Sequence, residues 1–121
     1  MLSEIRNPRQ IEGEGRRRWF TDEYFDLIVW HDESGGLAGF QLCYDKTREE
    51  RALSWRAGRG YSHERVDDGE IPGRAKMSPV LVPDGLFARD DVAARFLEAS
   101  ADIDPDIRSF VYDRLQQFPD P

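Results

Sequence analysis

Between residues 17 and 66, apolar and polar positions alternate in short runs that turn sequences separate. This pattern predicts consecutive antiparallel strands. The clearest strand covers 24–30 and reads YFDLIVW, because it is rich in aromatic and β-branched residues and ends in the turn sequence DESGG. The other predicted strands cover 17–21, 38–44, 51–56, 61–66 and, after a looser segment, 77–82.

The period of the apolar positions changes to that of a helix near the C-terminus. Val92, Phe96 and Leu97 mark one amphipathic helix. Asp90 and Asp91 fall in its first turn, where the helix dipole favours negative charge. We therefore expect a helix soon after residue 88.

A second amphipathic helix is predicted to begin at Asp104-Pro105, with Asp as the N-cap and Pro in the first helical position. Its apolar positions are Ile107, Phe110, Val111, Leu115 and Phe118. Strands first and helices last indicate an α+β fold. We expect a curved antiparallel meander of five to six strands, followed by two C-terminal amphipathic helices on one face of the sheet.

The domain boundary is predicted near residue 15. Asn7-Pro8 and Gly13-Glu14-Gly15 interrupt any periodicity, so residues 1–15 are expected to form a flexible N-terminal tail. The remainder, 16–121, is expected to be a single α+β domain, since 121 residues suit one hydrophobic core.

The apolar pattern also predicts the register of the sheet. Pairing Glu33 with Gly36, and Asp45 with Glu50, aligns apolar residues across three strands, and a slip of one residue would mix them with charge. The resulting core face consists of Phe25, Leu27, Val29, Phe40, Leu42, Tyr44, Leu53 and Trp55.

The opposite side of the sheet, which we call the outer face, is mixed rather than uniformly polar. Trp30 is large and apolar, and Gly39 gives a ligand or another backbone room to approach. Arg56 can stack on Trp30 and still bind a carboxylate or phosphate. The full set is Asp26, Ile28, Trp30, Gly39, Gln41, Cys43, Ala52, Ser54 and Arg56.

The strand at 61–66 has two plausible registers. A two-residue turn at Gly58-Arg59 is preferred, because glycine suits the first position of a type II′ turn. That turn places Tyr61 and His63 on the outer face. The alternative is a three-residue turn with Gly60 in the left-handed conformation, and one further change of register would return both side chains to the core face.

The outer face is therefore the predicted site. We expect a shallow pocket with convergent polar groups over an apolar floor. Its ligand-binding residues are predicted to be Trp30, Gln41, Ser54, Arg56, Tyr61 and His63. The alternative is a second buried face, which the N-terminal segment, a terminal helix or another subunit would close.

The net charge of the chain limits the kinds of partner that we expect it to bind. The net charge is −7, which repels nucleic acid and anionic membranes, so neither is an expected partner. Arg6, Arg9 and the run 16–18 form a local basic concentration, which indicates a solvated arm or, alternatively, a contact to an acidic partner.

The single cysteine, Cys43, cannot form an intrachain disulfide, which fits a reducing compartment. The first ten residues hold no apolar signal sequence, and no apolar run of about 18 residues is present. A cytoplasmic location is therefore expected.

The candidate reactive groups form no strong motif. Cys43 with His63 and Asp26 offers the residue types of a nucleophilic triad or, with further ligands, of a zinc site. A cysteine in the middle of a strand is more often a small buried apolar residue. No catalytic residue, metal site or cofactor is predicted.

These observations favour a small binding or interaction module over an enzyme. Its partner would be a small molecule, a protein or a second copy of the chain. One alternative is a small enzyme with His63 as the acid–base residue and Arg56 holding an anionic substrate. Another is a regulatory or structural subunit of a larger complex.

Overall fold

The computed structural model describes residues 1–6, 10, 16–67, 80–83 and 88–118. These parts of the chain form seven strands and then two helices. The strands are β1 (Ser3–Ile5), β2 (Arg16–Thr21), β3 (Phe25–His31), β4 (Leu37–Tyr44), β5 (Arg51–Arg56), β6 (Gly60–Asp67) and β7 (Val80–Pro83). The helices are α1 (Arg89–Ala99) and α2 (Pro105–Gln116).

The strands form one antiparallel sheet in which each strand pairs with its neighbours in sequence. The predicted α+β fold, a meander followed by two C-terminal helices, is confirmed. The six predicted strands correspond to β2–β7, although residues 77–79 of the last one lie outside the described part. Neither α1 nor α2 is long and apolar enough to span a membrane.

The N-terminus differs from the expected tail at its first residues. Ser3 and Ile5 pair with Thr21 and Trp19 of β2, so β1 adds a strand to the edge of the sheet. Leu2 is only 2% exposed. The sequence pattern missed β1 because three residues are too few to show an alternation. Residues 7–9 and 11–15 of the expected tail lie outside the described residues.

The registers of the two central hairpins are confirmed along the strands, up to the pair Trp30 and Gly39. A bulge then shifts the next pair to His31 and Leu37, so Asp32 rather than Glu33 faces Gly36. Val29 lies opposite Phe40 across β3 and β4, and Leu42 lies opposite Leu53 across β4 and β5. All four side chains are fully buried. Burial selects this register, because a slip of one residue would exchange the two faces of the strand.

The turn between β5 and β6 contains three residues, so the preferred two-residue turn is wrong. The N–H of Arg59 donates to the carbonyl of Arg56 at 3.0 Å. Gly58 has a φ of 81° and Gly60 a φ of 78°, conformations that favour glycine. The turn therefore uses both glycines, and Arg56 pairs with Gly60.

This longer turn moves two predicted site residues to the core face. Tyr61 pairs with Trp55, and His63 pairs with Leu53. Because Trp55 and Leu53 face the core, Tyr61 and His63 do so as well. Their expected position on the outer face is corrected accordingly.

Both helices pack on the core face. The ring of Phe96 on α1 meets Phe25 edge to face at a centroid distance of 6.1 Å, and Phe110 on α2 meets Phe40 at the same distance. The start of α2 follows the expected capping pattern, since the Asp104 carboxylate accepts from the N–H of Asp106 at 2.9 Å. The outer face lies on the opposite side of the sheet from these helices.

An arginine on β2 ties the edge of the sheet to α2. Arg18 donates to both carboxylate oxygens of Glu4 at 2.8 and 2.7 Å, and to Asp104 at 3.2 Å. The hydrogen bond from Arg18 is the main cause that lowers the pKa of Glu4. One guanidinium thus joins β1, β2 and the N-terminus of α2.

The buried face of α1 can be tested with two adjacent residues. Phe96 is fully buried, whereas Leu97 is 37% exposed. We expect Phe96→Ala to lower the free energy of unfolding by about 3–5 kcal/mol, because it removes a buried ring and leaves a cavity. The control Leu97→Ala is expected to cost less than about 1 kcal/mol. Equal losses in urea unfolding would contradict this packing.

Candidate functional site

The outer face is arranged in rows that run across the strands. One row contains Trp30 on β3, Gly39 on β4 and Arg56 on β5. The neighbouring row contains Ile28, Gln41 and Ser54, which follow the predicted register, and Ser62 on β6 extends it. Outward-facing side chains from four strands therefore meet on one surface.

Arg56 stacks on Trp30, as the sequence predicted. Its Cζ atom lies 4.2 Å from the centroid of the indole ring. The two residues are separated by one strand, and the position between them is Gly39. Because Gly39 has no side chain, Arg56 can cross β4 and reach the indole.

The room at Gly39 is used by the protein itself rather than by a ligand. A Cβ atom at this position would lie 2.6 Å from the carbonyl oxygen of Trp55 and 3.0 Å from the Cγ of Arg56. The glycine therefore allows a close approach of β5 and the passage of the arginine side chain.

Beside the stacked pair, the surface forms a shallow concavity of about 350 Å³. Within the described ranges, five of its polar side chains make no hydrogen bond or ion pair, and none of its lining residues carries a carboxylate. These polar side chains are Gln41, Ser54, Arg56, Arg59 and Ser62. The arrangement offers hydrogen-bond donors and positive charge to a small ligand.

Five of the six predicted site residues line this concavity, namely Trp30, Gln41, Ser54, Arg56 and, from the core-facing row, Tyr61. Tyr61 borders the concavity, but its hydroxyl donates to the carbonyl of Arg114 on α2 at 2.8 Å.

His63 is turned away from the concavity. Its side chain lies on the core face, 9% exposed, with its Nε2 2.6 Å from the Tyr44 hydroxyl. The predicted role of His63 as a ligand-binding residue on the outer face therefore has no geometric support.

Arg59 and Ser62 line this candidate site, and the sequence reasoning missed both. Both follow from the three-residue turn, which places Ser62 opposite Ser54. The available signal was the spacing of Gly58 and Gly60, since two glycines that flank Arg59 permit the longer turn.

The reactive combinations considered from the sequence are not assembled. His63 lies on the core face, whereas Cys43 and Asp26 lie opposite each other on the outer face. Asp26 is engaged by Lys46 at 2.9 Å and by the Thr21 hydroxyl at 2.6 Å. Across the described parts of the chain, no group of three or more potential metal ligands is present.

A larger concavity of about 560 Å³ lies at the edge formed by β1 and β2, among several of the predicted basic residues. The lining also contains the carboxylate of Glu4 among its four arginines. Arg18 is paired with Glu4 and Asp104. The side-chain amide of Gln10 accepts from the N–H of Arg17 at 2.8 Å and donates to its carbonyl at 3.0 Å, as a paired strand would. We therefore favour the concavity beside Trp30 as the site.

Comparison with protein-family models, with curated proteins and with solved structures found no significant match to this chain.

The state of Cys43 leads to a test by alkylation. Burial is the main cause that raises the pKa of its thiol to about 12. At pH 8, about one thiol in ten thousand would then be deprotonated, and the thiolate is the reactive form. We expect iodoacetamide to label the folded protein at least about 100-fold more slowly than the chain unfolded in guanidinium chloride. Similar rates in both states would contradict a buried, unactivated thiol.

The close approach at Gly39 leads to a test of stability. Gly39→Ala is expected to lower the free energy of unfolding by about 1–3 kcal/mol, because the new methyl group meets backbone that cannot move freely. Gly36→Ala is the control, since its Cβ would meet the Asp32 carboxylate at 3.3 Å, and a side chain in a turn can shift. Urea unfolding measures both variants. A Gly39→Ala variant as stable as the control would refute the tight contact.

Proposed function

We propose that the protein is a small binding module that holds an anionic small molecule in the concavity beside Trp30 and Arg56. The observation that carries this proposal is the Arg56 guanidinium, which is stacked on Trp30 and has no carboxylate partner in the described parts of the chain. A single cysteine among 121 residues fits a reducing compartment, so we propose a cytoplasmic location.

The concavity is positively charged although the whole chain is negatively charged. A chain of net charge −7 repels anions at long range. The concavity nevertheless contains Arg56 and Arg59 and no acidic lining residue among those described. This local reversal of sign supports an anion as the ligand.

The stacking of Arg56 supports binding in a second way. A free arginine side chain loses considerable rotamer freedom when it grips a ligand. Here the guanidinium of Arg56 already lies over the indole of Trp30, and its N–H groups make no hydrogen bond within the described residues. Such preorganisation lowers the entropic cost of binding.

The composition of the concavity favours binding over catalysis. Among the described residues, its lining contains no histidine, cysteine or carboxylate that could act as a general base beside Ser54 or Ser62. In the enzyme hypothesis, His63 and Arg56 act on one substrate, but these residues lie on opposite faces of the sheet. We therefore propose no reaction at this site.

The proposal can be tested by NMR titration of the full chain with acetate, sulfate and methyl phosphate. At least one anion is expected to shift the indole N–H signal of Trp30 and the carboxamide signals of Gln41 in a saturable way. Arg56→Gln is expected to weaken that binding at least about tenfold, equivalent to about 1.4 kcal/mol, because it removes the stacked charge.

The matched control is Arg65→Gln. Arg65 is exposed on the same sheet but pairs with Arg51 in a row on the core side, away from the concavity. Its removal changes the net charge equally and should alter the affinity by less than about twofold. If no anion shifts the outer-face signals, or if both variants lose affinity equally, the proposed site is wrong.

A further inference from the structure

The hydrogen-bond donors and the positive charge of the concavity also favour one class of anion. We propose that the ligand is a small-molecule phosphate monoester, whose dianionic phosphoryl group is held between Arg56, Arg59 and the hydroxyls of Ser54 and Ser62. This inference rests on the proposed function and makes it more specific.

The first argument is the number of donors. Five of the polar side chains that line the concavity make no hydrogen bond within the described residues, and each of them can donate one. A carboxylate offers about four lone-pair sites, and one guanidinium fork uses two of them, so fewer acceptors remain for the other donors. A phosphoryl group presents three terminal oxygens with several lone pairs, and therefore matches a larger donor set.

The second argument is the position of these donors around one open space. Ser54 and Ser62 are paired directly across β5 and β6, and Arg56 is paired with Gly60 in the adjacent row. Directly paired residues on antiparallel strands have Cα atoms about 4.5–5.5 Å apart. The two serines therefore lie side by side and Arg56 lies one row away, so all three residues line one concavity.

Gly60 keeps this space open. A Cβ atom on Gly60 would meet no other atom within 4 Å, so the position next to Arg56 is empty. Arg59 precedes it in the exposed turn and reaches the same concavity from the rim. Arg56 and Arg59 therefore line the same concavity, with the guanidinium of Arg56 over Trp30.

The third argument is charge. Arg56 and Arg59 together carry two positive charges, and the described lining residues contribute no negative one. A phosphate monoester carries a charge between about −1.5 and −2 at pH 7. It would neutralise both arginines, whereas a carboxylate would leave one positive charge unmatched.

The test compares three anions on the full chain at 0.15 M salt, with the Trp30 and Gln41 signals as the readout. Methyl phosphate and sulfate are expected to bind at least about tenfold more tightly than acetate at pH 7.5. Arg59→Gln is expected to weaken methyl phosphate binding at least about fivefold and to change acetate binding less. Arg65→Gln is again the matched control and should leave both affinities within about twofold.

A pH series adds a second, independent readout. The second pKa of a phosphate monoester is about 6, so methyl phosphate loses a charge between pH 7.5 and pH 5, whereas sulfate does not. We expect methyl phosphate to bind at least about threefold more weakly at pH 5, with sulfate binding unchanged or stronger. Protonation of a protein histidine would strengthen the binding of both anions and cannot produce this difference.

The outcomes separate the two proposals. If acetate binds as tightly as methyl phosphate, or if Arg59→Gln has no effect on methyl phosphate, the phosphate assignment is overturned while the anion site stands. If none of the three anions shifts the outer-face signals, the anion site itself is wrong, and the phosphate assignment fails with it.

Discussion

Burial of one face of the sheet under the two helices is the constraint on which the rest of the structure depends. Side chains alternate along each strand, so a register that buries Leu27, Leu42 and Leu53 also determines which residues face outward. Trp30, Gln41 and Arg56 are neighbours on the outer face because the residues next to them in sequence are needed in the core.

The same constraint explains why a charged group can be held in a defined orientation on an open sheet. Arg56 reaches Trp30 across Gly39, and the glycine is required by the backbone of β5 as well as by the arginine. The site is thus supported by contacts that also hold the strands together. This coupling between packing and orientation places the guanidinium of Arg56 over Trp30 at the concavity.

The sequence allowed the fold and the central registers to be predicted, because apolar pairs such as Val29 with Phe40 leave one acceptable alignment. The turn between β5 and β6 could not be predicted in the same way, since glycines at 58 and 60 permit turns of either two or three residues. Distant packing decides between them. The ring of Tyr61 lies 5.2 Å from that of Phe118, measured between centroids, and its hydroxyl donates a hydrogen bond to the carbonyl of Arg114 on α2. Neither contact can be predicted from the alternation of apolar and polar residues in β6.

The length of the turn between β5 and β6 also determined how many residues of the candidate site could be predicted from the sequence. It removed His63 from the outer face and brought in Arg59 and Ser62. The stacked pair of Trp30 and Arg56 was predictable because it lies in strands whose register the core fixes. The residues contributed by β6 were not predictable, because their position depends on the length of the turn.

A crystal structure of the protein with methyl phosphate would test the central claim most directly. We expect the phosphoryl group in the concavity, with donor–acceptor distances of about 2.7–2.9 Å to the guanidinium of Arg56. Arg56 should remain stacked on Trp30. A phosphoryl group bound only at the edge formed by β1 and β2, or an empty concavity at saturating ligand, would contradict the account.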